Sequence, residues 1–123
     1  MILDDIKSFI TQNGIINTDC IKYDYDCLHG EDVCILNLYD NSPSDLALCS
    51  GIKLIAKFKD LNTARQTSFA LYNLFFPKDN FQKAITINGK IMHAKLNKGP
   101  CFLEKDQSKR YIYLLDITVI HNR

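Results

Sequence analysis

The sequence predicts a single α+β domain over residues 1–123, a mainly antiparallel sheet with one long helix packed on a face and a short N-terminal helix. Three observations carry this reading. Apolar residues recur at helical spacing near the N-terminus and again after residue 60. Apolar and polar residues alternate over 52–59 and over 111–120, the pattern of half-buried strands. Between two further alternating runs stands Asn88-Gly89, the preferred pair for a two-residue hairpin turn. A length of 123 residues suits one core and not two.

In chain order, Ile2, Leu3, Ile6, Phe9 and Ile10 form the stripe of a short helix. Asp4 and Asp5 lie in its first turn, where the helix dipole favours acids, and Gly14 supplies a stop. Residues 21–26 alternate and predict an edge strand, whereas 33–39 are apolar on both faces and predict a strand covered on both sides. Residues 40–51 are rich in turn formers and predict a long loop. The strand over 52–59 turns Ile52, Leu54, Ala56 and Phe58 inward and Lys53, Lys57 and Lys59 outward. Asp60 or Asn62 caps the long helix, whose inner stripe is Leu61, Ala64, Ser68, Leu71, Tyr72 and Phe75, and Pro77 closes it.

A type I′ turn at Asn88-Gly89 fixes the hairpin register. Ile87 pairs with Lys90, Ile85 with Met92 and Phe81 with Leu96, and the shared face of Phe81, Ile85, Ile87, Met92, Ala94 and Leu96 is apolar. His93 falls opposite Ala84 on the other face. The last strand turns Tyr113, Leu115, Ile117 and Val119 to one side.

Composition narrows the function. Charged residues make up 24% and the net charge is +1, which lacks the basic excess of a dedicated nucleic-acid binder. The opening MILDDIK carries acids where an export signal needs positive charge, and no apolar run approaches the ~18 residues of a membrane helix. The expected site of synthesis and first residence is therefore a cytoplasm. Cys20, Cys27, Cys34, Cys49 and Cys101 read as free thiols, because no close cysteine pair feeds a second one; the regular gap of the first three, near His29, is a weak zinc pattern.

Asp24, Asp26, Glu31 and Asp32 crowd around His29, which raises a small metal-dependent enzyme as one alternative. A solvated edge strand and turn explains the same acids. His29, His93 and His121 are scattered, and the glycines are isolated, so the sequence predicts no catalytic, metal or cofactor-binding residues and no cofactor. The charge clump Glu104, Lys105, Asp106, Lys109 and Arg110 lies between an apolar run and the last strand and predicts a hairpin tip of mixed sign. Lys105, Asp106, Lys109 and Arg110, with Lys53 and Lys57, are the candidate assembly contacts. As exposed charges, Lys109 and Arg110 are expected to contribute little to folding.

Taken together, IKLIAKFKDLNTARQTSFALYNLF, AITINGKIM and GPCFLEKDQSKRYIYLLDITV resemble a family of short minor capsid proteins from phages and prophages of Gram-positive bacteria, a family similar to the tail terminators of long-tailed phages. The likeness spans 33–120 and rests on order and spacing. It includes VCILNLYDNSP and the segment Gly99, Pro100, Phe102, Leu103, Asp106, Arg110 and Tyr111, although DQSKR lacks the glycine often found in that turn. The resemblance implies a virion structural protein at the head-tail junction. Such a protein forms a ring, expected to be a hexamer, on the tail tube protein and offers its other face to the head-tail connector protein. A head-completion or connector adaptor is the neighbouring alternative. Neither implies nucleic-acid specificity or a membrane.

Overall fold

The computed structural model describes residues 2–26, 30–43, 47–79 and 82–122. Its elements are α1 (Ile2–Gln12), β1 (Ile21–Tyr23), β2 (Val33–Pro43), β3 (Ala47–Phe58), α2 (Leu61–Phe75), β4 (Gln82–Ile87), β5 (Lys90–Lys105) and β6 (Tyr111–Asn122). The strands form one six-stranded sheet in the order β1-β2-β3-β6-β5-β4. β1 runs parallel to β2, and every other neighbouring pair is antiparallel.

The predicted architecture of one long helix laid on an antiparallel sheet is corrected by this topology. The sheet is mixed and curled and makes up most of the chain, while α2 has 15 residues and shares the inner face with α1. The curl has a local cause in β5, whose pairing with β6 shifts register between Leu96 and Lys98, Lys98 and Cys101, and Phe102 and Glu104. Each irregularity breaks the ladder and bends the strand. Gly99 sits in this stretch at φ +93, and a Cβ there would run into the Leu114 carbonyl oxygen, so only glycine fits.

Inside the curl lies the core. α1 contributes Leu3, Ile6 and Ile10, α2 contributes Leu71, Tyr72 and Phe75, and the strands contribute Leu36, Leu54, Leu115 and Ile117. Phe9 and Phe75 meet edge to face with ring centroids 5.5 Å apart, which joins the two helices. α2 begins at Asp60, whose carboxylate accepts from the Thr63 backbone N–H at 2.9 Å and from its hydroxyl at 2.7 Å. Leu61, predicted to point inward, is 38% exposed, since the first turn precedes the helix's contact with the sheet.

α1 also reaches both edges of the sheet. Asp4 accepts from the Tyr23 hydroxyl of β1 at 2.8 Å, and Asp5 accepts from Asn88 Nδ2 in the β4–β5 turn at 2.8 Å. The acids that favour the helix N-terminus thus double as ties across the opening of the curl.

Of residues 40–51, predicted as a loop, 40–43 and 47–51 instead extend β2 and β3 as a paired arm in which Asn41 pairs with Ser50 and Pro43 with Leu48. Ladder hydrogen bonds to β3 outweigh the weak strand propensity of Asp40, Asn41 and Ser42, and Pro43 stands at the strand end, where proline is tolerated. The β4–β5 hairpin has the predicted register: Ile87 pairs with Lys90, Ile85 with Met92 and Ala84 with His93. Both Asn88 and Gly89 have positive φ, as a type I′ turn requires. Phe81, assigned to the same apolar face, lies outside the described residues.

Ile85 is 8% exposed and Thr86 is exposed, so the two faces of β4 have opposite tolerances. Ile85→Asp is expected to cost about 3 kcal/mol or more by burying an unpaired charge, and Thr86→Asp about 0.5 kcal/mol or less. Urea denaturation of the two variants checks this; equal losses would overturn the register.

Candidate functional site

The predicted hairpin tip is a tight turn. Asp106 N–H donates to the Arg110 carbonyl at 2.9 Å and the Lys109 N–H donates to the Asp106 carbonyl at 3.0 Å. Lys109 occupies the left-handed region at φ 64, the place in such a turn where glycine is usual.

Arg110 corrects the sequence reading. It is 3% exposed and folded back under the tip. Nη1 and Nη2 donate to the two Asp26 carboxylate oxygens at 2.9 and 2.7 Å, Nε donates to Asp106 Oδ2 at 2.9 Å, and Nη1 also reaches the Glu31 carbonyl at 2.8 Å. Lys57 Nζ adds a contact to Asp26 Oδ2 at 3.0 Å. The guanidinium's planar fork suits this geometry, since it binds one carboxylate with two parallel bonds and leaves donors for others. Hydrogen bonding to Asp26 foremost, against burial and with help from Asp106, raises the Arg110 pKa further above its ordinary value. Burial alone would raise the Asp106 pKa, but the backbone N–H, guanidinium and charge of Arg110 outweigh it and hold the carboxyl below the usual range.

The cluster fastens Asp26 and Glu31 to the β5–β6 turn. Asp32 accepts from the Lys59 N–H at 2.9 Å, and Gly30 lies so near Ser108 that a Cβ would come within 2.6 Å of its hydroxyl. At this end Val33, Ile35, Ile112 and Leu114 are buried on the outer face as well, a second apolar layer opposite the main core.

The six predicted contacts therefore separate. Arg110 and Lys57 converge on Asp26, and Asp106 joins the cluster through Arg110. Lys105 and Lys109 remain on the surface, with Lys105 Nζ 5.0 Å from the Tyr111 ring centre. Lys53 belongs to another group, its Nζ 5.1 Å from the Tyr39 ring centre. The acids read as a possible metal cluster do not converge either. Asp24 accepts from Asn37 Nδ2 at 3.2 Å and from the Leu38 N–H at 3.1 Å, while Asp26 serves Arg110. His29 and Cys27 lie outside the described residues, among which no three metal-ligating side chains cluster.

A polar network on the middle of the outer face escaped the sequence reading. The Tyr39 hydroxyl donates to Asp116 Oδ1 at 2.7 Å, and Asn97 Nδ2 bridges to Thr118 Oγ1 at 2.8 Å and to Asp116 Oδ1 at 3.3 Å. Desolvation and then the Asp116 bond raise the Tyr39 pKa, so the phenol keeps its proton. Gly51 allows the ring to lie flat, since a Cβ there would sit 2.7 Å from it. Asp116, a lone acid within YIYLLDITVI, was the available signal.

At the far end, the mouth of the curl holds a cleft of about 550 Å³ between α1 and the ends of β2, β3, β5 and β6. Ile2, Leu38, Leu48 and Met92 form its apolar walls, with Asp5, Lys90 and His121 among the polar groups. Behind it the buried Ser50 hydroxyl donates to Asn41 Oδ1 at 2.9 Å and lies 2.8 Å from His121 Nε2. Desolvation lowers the His121 pKa, so the ring is neutral at pH 7. Ser50 is fully buried, which makes this a structural hydrogen-bond chain and not an exposed nucleophile.

No family model matches this chain, and no curated protein matches it.

Arg110→Ala is expected to destabilise the protein by about 3 kcal/mol, at the low end for a broken buried pair because Asp26 is partly exposed. Lys109→Gly is expected to stabilise it by up to about 1 kcal/mol by relieving the left-handed backbone. Asp106, held ionised by Arg110, stabilises the fold fully above the ordinary carboxylate pKa of ~3.9 and loses that contribution as pH falls through its lowered value. Acid denaturation followed by circular dichroism should accordingly be less steep in Asp106→Asn. An Arg110→Ala protein as stable as the parent would remove the cluster from the account of the fold.

Proposed function

We propose that this chain is a phage structural protein that ends the tail tube as an oligomeric ring and joins it to the head connector. The observation that carries the reading is the order and spacing of strand, Asp60-capped helix, Asn88-Gly89 hairpin, Gly99-Pro100 segment and long final strand over 33–120. The exposed surface is compatible with assembly. Phe102, Leu103, Ile91 and Ile120 are large apolar side chains left 36% or more exposed, and they lie toward the two ends of the β5–β6 pair. Many weak contacts made together in a ring reinforce one another, so each can be modest.

Lys105 and Lys109 are the surviving candidates of the charged tip, because both are exposed. Charge pairs at such a tip set partner choice and register more than affinity. Tail tubes assembled with this protein should stop at a uniform length with a capped end in electron micrographs, and tubes without it should not. Lys105→Glu with Lys109→Glu should leave the melting temperature nearly unchanged and weaken capping, most visibly at low salt. Tubes of the same uncontrolled length with and without the protein would reject the proposal.

A further inference from the structure

The cleft and the hairpin tip stand at opposite ends of one strand. β5 begins at Lys90, in the cleft, and its 16 residues end at Lys105, beside the tip. The β5–β6 ladder runs from His93–Ile120 beside the cleft to Lys105–Tyr111 beside the tip, so the sheet itself holds the two apart and a chain does not insert its own tip into its own cleft. A second copy can.

We propose that the cleft receives the Phe102–Leu103 end of the β5–β6 hairpin of a second copy, in a head-to-tail contact. This deepens the ring reading above and rests on it for the closure of the ring. The shapes correspond: a cleft of about 550 Å³ with apolar walls faces two large side chains that are 49% and 48% exposed. One side of Phe102 is braced by Tyr113, edge to face at 5.7 Å, so the ring is presented in a fixed pose. The charges correspond as well. Asp5 and Lys90 form a loose pair at the cleft, 3.7 Å apart, with Lys90 65% exposed, and the tip brings the exposed Glu104 and Lys105. Asp5 is 14% exposed and already accepts from Asn88, so the cleft charge open to a partner is Lys90, which Glu104 of the tip meets with opposite sign. A contact between two different patches cannot saturate in a dimer; repeated, it gives a ring or a filament.

The test uses Ile91→Asp, at the cleft rim where Ile91 is 67% exposed, and Leu103→Asp, at the tip. Both positions are exposed, so both variants should melt close to the parent. In sedimentation velocity the parent should associate with rising concentration, and each variant alone should associate about tenfold more weakly or less. An equimolar mixture should then form dimers and stop, because the intact tip of Ile91→Asp fits the intact cleft of Leu103→Asp. A parent that stays monomeric up to its solubility limit overturns the contact, as does a variant that associates like the parent or a mixture that stays monomeric. No tail tube is present in this assay. Mixed dimers without tube capping would therefore reject the phage reading alone, and capping without mixed dimers would reject this contact alone.

Discussion

The fold's outer face depends on one guanidinium. Arg110 gathers Asp26, Asp106 and the Glu31 carbonyl, and through Asp26 it also engages Lys57. A charge that is 3% exposed persists only where its donors are matched, and here two carboxylates and a carbonyl match them. These bonds tie Asp26 and Glu31 to the β5–β6 turn, at the end of the sheet where Val33, Ile35, Ile112 and Leu114 are buried.

The curl sets the second constraint. A strand with three register shifts bends, and the bent sheet turns its inner face around α1 and α2. Bending also brings the sheet's edges toward one helix. Asp4 and Asp5, adjacent in α1, therefore reach Tyr23 on one side and Asn88 on the other. The mouth left between α1 and the strand ends is the cleft. Its position thus follows from the same irregularities that bend β5.

Legibility in the sequence followed the range of the interactions. The β4–β5 hairpin was readable because its turn chemistry and hydrophobic period agree within a dozen residues. The Asp60 cap and the inner stripe of α2 from Ala64 to Phe75 were readable for the same local reason. The paired arm of 40–43 and 47–51 was not, since its strand character comes from pairing and not from the propensities of Asp40, Asn41 and Ser42. The second apolar layer was half visible: β2 reads as apolar on both faces, but Ile112 and Leu114 were overlooked beside the stronger stripe of β6. Arg110 was unreadable as a buried residue. Its main partner, Asp26, lies 84 positions away, and nothing in DQSKR distinguishes an arginine that turns inward from one that points to water.

Burial of Arg110 changes what the tip can do. A hairpin end made only of solvated charges would sample many orientations, and ordering it on a partner would cost side-chain and backbone entropy at the moment of contact. Here the turn is fixed from beneath by Arg110 and Asp106, and Phe102 is braced against Tyr113. Lys105 and Lys109 are consequently held on a rigid base, with only their own side chains free. Lys109 stays in a left-handed conformation that glycine would adopt with less strain, which keeps a positive charge at the apex in place of a bare turn. A rigid base with a few mobile charges favours selectivity over strength, because misplaced partners meet like charges while correct ones meet opposite charges at little ordering cost.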